Sequence, residues 1–184
     1  MRGCLFKINS TRGWRAVFYT QFLLWPTVFV YVAGTLGVRL NLSSSVPIGL
    51  YLTSRDLGAN LVEFCPPEPF GTLSVERGYR ALSNACPDGG QALLKPVIAR
   101  EGDLVEVSAA GIHVNGFLIE NTQSQLEDSQ NRPLPRWPAG LYAVARGTVW
   151  VASVYNPRSF DSRYFGPVRI ASIKHGLRPF LITF

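Results

Sequence analysis

An all-β domain carried behind one N-terminal transmembrane helix is the fold predicted for this chain of 184 residues, and three observations predict it. Residues 16–38 run without a single charge, long enough for the roughly 20 apolar residues that span a bilayer. Beyond residue 45, apolar residues come in short runs with period-two alternation, punctuated by glycine and proline, which is the pattern of strands. In IHVNGFLI, residues 112–119, Asn115-Gly116 separates two such runs and supplies the positive φ angles of a type I′ hairpin turn.

The first 15 residues hold Arg2, Lys7, Arg12 and Arg15 and no acid, whereas only Arg39 follows the apolar run closely. The excess of positive charge predicts residues 1–15 as a basic cytoplasmic N-terminus, 16–38 as a single-pass anchor and 39–184 as a β-rich domain on the far side. Pro26 is tolerated in lipid where neighbouring groups satisfy the carbonyl it frees. A cleaved signal peptide competes with the anchor, and Val32-Ala33-Gly34 offers it small residues, but its apolar region runs to only about 7 to 15 residues.

In the exported part, strands are expected at 49–54, 60–64, 93–99, 104–108, 112–114, 117–120, 140–145, 149–155 and 168–174. A short helix is expected within 72–84. The stretch 121–140 is polar and then proline-rich, a long surface loop. Trp137 within it should rest either on the bilayer or on neighbouring packing.

Charge and cysteine content narrow the function. The net charge is +6, yet residues 1–40 carry five Lys/Arg and no acid, which leaves thirteen basic against twelve acidic residues beyond. Polyanion binding needs a basic face, so no nucleic-acid partner is expected; the lipid bilayer accounts for the basic N-terminus. Cys4 lies on the reducing side, while Cys65 and Cys86 lie in the exported part and can pair. Closing that loop is worth about 3 kcal/mol in the chain-entropy model. Neither cysteine sits in a C-x-x-C and the two histidines are distant, so no metal and no cofactor are expected.

Most familiar catalytic signatures are missing: no G-x-S-x-G, no H-E-x-x-H, no phosphate-cradling glycine loop, no dinucleotide fingerprint. His113, beside the hairpin turn, and His175, in a basic KHG segment, read as exposed surface residues. A base must then come from elsewhere. Lys95, in QALLKPVIA, shares a strand face with Leu93 and Val97, while Leu94, Pro96 and Ile98 take the other. An unperturbed lysine is neutral in only about one molecule per few thousand at pH 7, but desolvation between apolar neighbours lowers its pKa by several units. The competing reading is an edge-strand lysine that deters aggregation. NLSSSVPIGLY, residues 41–51, has the Ser/Pro/Gly composition of a turn.

Taken in order, Ser45-Val46-Pro47, then Lys95 with Pro-Val-Ile-Ala-Arg-Glu-Gly102-Asp103, then Ser159-Phe-Asp161-Ser162-Arg163-Tyr164-Phe-Gly166 resemble the successive boxes of the type I signal peptidases. NLSSSVPIGLY, ERGY (76–79), Cys65 with Cys86-Pro87, and NPRSFDSRYFGPV (156–168) are most similar to the TraF-type, conjugative-transfer branch. Departures from the general pattern are the single residue between Ser45 and Pro47, Glu101 where proline is usual before Gly-Asp, and Ala-Ser-Val-Tyr in place of the Gly-Asp run before Asn156. The first and third fit the conjugative branch.

The resemblance implies a signal-peptidase-like β-domain in the periplasm, held by its anchor in the bacterial inner membrane. It also implies a Ser/Lys dyad: Ser45 as nucleophile, Lys95 as general base, and an oxyanion site formed by the backbone N–H of Ser45 and the hydroxyl of Ser43. Ser44 would point away. Ser159 would orient the lysine, and Asp161 with Arg163 would hold the site's walls as an ion pair. A disulfide between Cys65 and Cys86 belongs to the same expectation. Ser45 lies only seven positions beyond Val38, about 25 Å at full extension, so the substrate should emerge from the membrane as a pilin precursor or other preprotein does. Release of the acyl-enzyme by water would cleave the precursor, and release by its own N-terminal amine would cyclise it; conjugative pilus assembly components are the further partners implied. A catalytically silent periplasmic assembly factor of a pilus or secretion complex is the rival reading. A general secretory signal peptidase would keep the chemistry and change the clientele.

Overall fold

The structure, a computed structural model, describes residues 10–56 and 58–183. Cys4, the basic residues Arg2 and Lys7, and most of the expected cytoplasmic segment lie outside the described residues. The chain divides at Val38/Arg39 into two compact units. The first is a helix, α1 (Ser10–Thr35), with Pro26 inside it. Among its described side chains, Tyr19, Phe22, Trp25 and Tyr31 are exposed. Among the described residues no helix is long and apolar enough to cross a membrane; the described part of α1 is interrupted by Thr20, Gln21, Pro26 and Thr27. The apolar run expected to end at Val38 gives up its last residues to a turn and to β1 (Val38–Asn41).

The second unit is mostly β-sheet. After β1 come β2 (Ile48–Ser54), β3 (Leu61–Phe64), a short helix α2 (Phe70–Glu76), β4 (Leu93–Ala99), β5 (Leu104–Ser108), β6 (Gly111–Val114), β7 (Phe117–Ile119), β8 (Gly140–Ala143), β9 (Thr148–Val151), α3 (Ser162–Phe165), β10 (Val168–Arg169), a 3-10 turn at Ile170–Ser172 and β11 (Ile173–Thr183). A seven-stranded sheet runs in the order β1-β2-β11-β3-β4-β9-β10, and a four-stranded sheet in the order β7-β6-β5-β8. β11 therefore lies between β2 and β3, pairing antiparallel with both.

Each sheet buries one face of its alternating strands. Val62, Phe64, Val149, Val151 and Val168 of the large sheet pack against Phe160, Tyr164 and Phe165 around α3, where Phe160 lies 5.4 Å from Tyr164 and 5.6 Å from Phe165. β5 follows a strict in-out alternation, burying Val105 and Val107 in a second core with Ile112, Val114 and Trp150. The hairpin at Asn115-Gly116 forms with φ of 51° and 84°, both positive as a type I′ turn requires. Trp137 settles on packing: it stands edge-on to Trp150 at 6.1 Å and fills the space beside Gly166, where a Cβ would come within 2.5 Å of the indole. The long loop is pinned at its tip by a bridge between Glu127 and Pro133.

Two further expectations shift. His113 and His175 sit half-buried on β6 and β11 rather than on the open surface, because cross-strand neighbours cover them: Leu118 and Glu106 for His113, Glu63 for His175. The helix expected within 72–84 starts at Phe70 and ends at Glu76, with Arg77 as its cap, after which Gly78, with φ of 72°, supplies the left-handed residue that stops a helix. Cys65 and Cys86 form a disulfide, S–S 2.08 Å, tying the end of β3 to the segment before β4. Next to it the buried pair Arg80–Asp88, 2.8 Å apart, is satisfied further by Arg80 bonds to Ser74 Oγ, Gly71 O and Gln91 O.

Candidate active site

The loop between β1 and β2, residues 42–47, carries the serines. It has no ladder partners, so its buried polar groups need side chains to satisfy them. Asn41, buried at the end of β1, donates from Nδ2 to the carbonyls of Ser43, Val46 and Pro47 at 2.9, 3.2 and 3.1 Å. Its Oδ1 accepts from the Ser43 N–H at 3.1 Å and the Ser43 hydroxyl at 2.8 Å. Tyr51 donates its hydroxyl to Pro47 O at 2.5 Å, and Val46 is clamped in a small core with Tyr51 and Leu177. Ser153 donates its hydroxyl to Ser45 O at 2.6 Å. Ser44 is exposed, its Oγ accepting from Asn156 Nδ2 at 2.8 Å.

Lys95 reaches the same point from β4. That strand is internal, between β3 and β9, with Lys95 opposite Val62; the edge-strand reading of the lysine is thereby excluded. Its ammonium nitrogen stands 2.5 Å from Ser45 Oγ and 2.6 Å from Ser159 Oγ, and the two hydroxyls are 3.3 Å apart. Only 3% of Lys95 and 8% of Ser45 is exposed. Burial among apolar groups pushes the lysine pKa from its ordinary value near 10.5 down to about 8, Asp161 opposing this and Arg163 reinforcing it. Desolvation penalises the charged form, and no carboxylate touches the amine to restore it.

Asp161 and Arg163 are the floor under this arrangement. They form a fully buried bidentate pair, Nε to Oδ1 at 2.8 Å and Nη2 to Oδ2 at 2.7 Å. Asp161 also caps α3 by accepting from Arg163 N and accepts from the backbone N–H of Ser153 at 3.1 Å. Arg163 donates onward to the carbonyls of Asn121 and Pro157, each at 2.8 Å. Every valence of the ion pair is used, the condition under which a buried pair holds its geometry. Through Ser153 the pair is connected to the carbonyl of Ser45.

Ser45, Lys95, Ser159, Asp161 and Arg163 thus converge, as does Ser43 within the loop. The Ser43 hydroxyl, however, is turned onto Asn41 rather than towards Ser45 Oγ. Asn41 and Ser153 are the site residues that sequence reasoning missed. Asn41 had a local signal, since an asparagine two residues before a serine invites the Asx turn it makes; Ser153, 108 positions from its partner, had none. Among the described residues no group of three or more His, Cys, Asp or Glu is placed to hold a metal ion.

Ser45, Lys95 and Ser159 open onto a cleft of about 660 Å³. Its far wall includes Tyr79 and Asp128, locked by a hydrogen bond from the Tyr79 hydroxyl to Asp128 Oδ2 at 2.5 Å and one from Arg132 Nε to the same oxygen at 2.6 Å. A hydroxyl, a buried amine with a depressed pKa and an extended cleft are together suited to attack on a peptide carbonyl.

Comparison with known proteins places the chain in a family. The sequence profile described as "Signal peptidase, peptidase S26" matches residues 12–180. The chain is 39% identical to the "Plasmid transfer protein TraF" of Escherichia coli over 150 residues, 79% of this chain and 83% of that protein. It is 31% identical to the "Conjugal transfer protein TraF" of Agrobacterium fabrum over 148 residues, 78% of this chain and 81% of that protein. Among solved structures, a signal peptidase I from Enterococcus faecalis matches at 22% identity and a TM-score of 0.35, covering 64% of this chain and 92% of that one. The profile match over nearly the whole chain, together with relatives above 30% identity over more than three quarters of it, makes this chain a member of the S26 signal peptidase family.

Proposed function

We propose that the protein is a serine endopeptidase of conjugative transfer that uses Ser45 and Lys95 to cut a membrane-embedded pilin precursor, and that α1 with its basic flank anchors it in the bacterial inner membrane, catalytic unit in the periplasm. The observation that carries the reading is the 2.5 Å contact between the buried Lys95 Nζ and Ser45 Oγ. With a pKa of about 8, roughly one lysine in ten is neutral at pH 7, against about one in three thousand for an unperturbed amine.

Neutral Lys95 takes the Ser45 proton as Oγ bonds to the scissile carbonyl carbon. The resulting ammonium gives that proton to the departing amine as the C–N bond breaks. Water, deprotonated by the same lysine, then opens the ester; attack by the precursor's own N-terminal amine would instead form a new amide and close a ring. The oxyanion meets the N–H of Ser45 and the Ser43 hydroxyl once that hydroxyl turns from Asn41, a donor worth about 3 kcal/mol. Ser159 keeps the lysine aimed. The conjugal-transfer names of the relatives and the short tether between Val38 and Ser45 support a substrate that leaves the bilayer.

The test is co-expression of the chain with a conjugative pilin precursor, read by intact mass of the product. Wild type should release the leader, and a cyclic product weighs one water less than its linear form. Folded Ser45→Ala or Lys95→Ala that still cleaves at the normal rate overturns the proposal.

A further inference from the structure

We propose that Asn41 is a positioning residue for the nucleophile, its buried amide fixing the backbone on both sides of Ser45 so that the hydroxyl stays in line with Lys95. The inference rests on the peptidase reading above. The loop 42–47 forms no strand or helix, only a turn at Ser44 and Ser45, so side chains do much to hold its register. Asn41 makes five contacts to it. Two amide protons are shared among the carbonyls of Ser43, Val46 and Pro47, while the amide oxygen takes both the N–H and the hydroxyl of Ser43. The contacted residues bracket Ser45 from two positions before it to two after it.

Ser45's own carbonyl is held separately, by Ser153. Tyr51 helps only at Pro47, and among the described residues no other side chain donates to the carbonyls of Ser43 or Val46. The chemistry of the amide is specific: aspartate would turn acceptors onto three carbonyls, leucine would leave all three unpaired, and glutamine would place the same group one carbon too far along. A shift of about 1 Å in a reacting group costs on the order of 100-fold in rate.

The experiment compares full-length wild type, Asn41→Ala, Asn41→Ser and Ser45→Ala, purified in detergent, on one purified pilin precursor, with folding checked by thermal melting. For Asn41→Ala the expected result is a kcat about 100-fold lower with KM within threefold of wild type. Asn41→Ser, which keeps one donor, should recover about tenfold of that loss; it also serves if the alanine variant does not fold. A folded Asn41 variant with kcat within twofold of wild type, or one whose loss is entirely in KM, overturns the inference. If Ser45→Ala is inert in that case, only the role of Asn41 falls; if Ser45→Ala cleaves normally, the peptidase reading falls with it.

Discussion

Replacing Lys95 with methionine should abolish catalysis and raise stability. An amine whose pKa falls to about 8 on folding binds fewer protons in the folded than in the unfolded state. Below pH 8 the folded protein therefore carries the full cost of burying the ammonium, and that cost fades as pH rises through the unfolded value near 10.5. The difference of some 2.5 units corresponds to about 3 kcal/mol at pH 7 and about 1 kcal/mol at pH 9.5. Methionine matches the aliphatic stem of the lysine and brings no charge. It gives up the hydrogen bonds to Ser45 and Ser159, roughly 1 kcal/mol, and these hydroxyls, 3.3 Å apart, can turn to each other. The net gain is about 2 kcal/mol at pH 7, or roughly 5 °C in melting temperature for a chain of this size. Thermal melts of wild type and Lys95→Met at pH 7 and pH 9.5 measure it by circular dichroism. A variant no more stable than wild type at pH 7, or a gain that grows with pH, would refute the claim that burial sets the lysine's basicity.

Three other outcomes follow from the same coordinates. Cleavage, measured as kcat/KM between pH 6 and 9.5, should rise tenfold per unit up to about pH 8 and then level off, because only the deprotonated amine accepts the Ser45 proton; a flat profile below pH 7 would point to another base. Arg163→Ala strands a buried carboxylate at Asp161 and is expected to cost roughly 3 to 5 kcal/mol, seen as a large fall in the denaturant midpoint, whereas a fall under 1 kcal/mol would mean that water or another cation takes over. Reducing the Cys65–Cys86 bond, which closes a loop of separation 21, should lower stability by about 3 kcal/mol in the chain-entropy model, measured by urea unfolding with and without reductant; identical midpoints would show that the loop is already ordered in the unfolded chain.

Local pattern carried much of this fold. β4 occupies residues 93–99 as its short apolar run indicates, and the burial of Lys95 could be read from Leu93, Leu94, Pro96, Val97 and Ile98 around it, because apolar neighbours on both faces leave no solvated side. What escaped was set by tertiary closure. β1 begins at the last residue of the uncharged run, whose hydropathy says nothing of where a helix hands over to a strand. β11 extends to Thr183 through Pro179, which reads as a breaker but sits at a register shift between Pro179 and Leu181. The grip of Ser153 on Ser45 depends on a partner 108 positions along the chain, and no window of sequence contains both members of that contact. At the site, the resemblance implied the contacts of Lys95 with Ser45 and Ser159 and the pairing of Asp161 with Arg163, whereas the turn of Ser43 onto Asn41 is a property of the folded loop.

The place of β11 has a consequence for biogenesis. Ser45 precedes β2 and Lys95 lies on β4, and the sheet joins those two regions only through β3 and the final strand inserted between them. A nascent or partly translocated chain that has not yet delivered residues 173–183 holds its alcohol and its amine on separate, unpaired pieces. Long-range pairing of this kind forms late, so on the peptidase reading the alcohol and the amine should meet only after β11 has paired with β2 and β3.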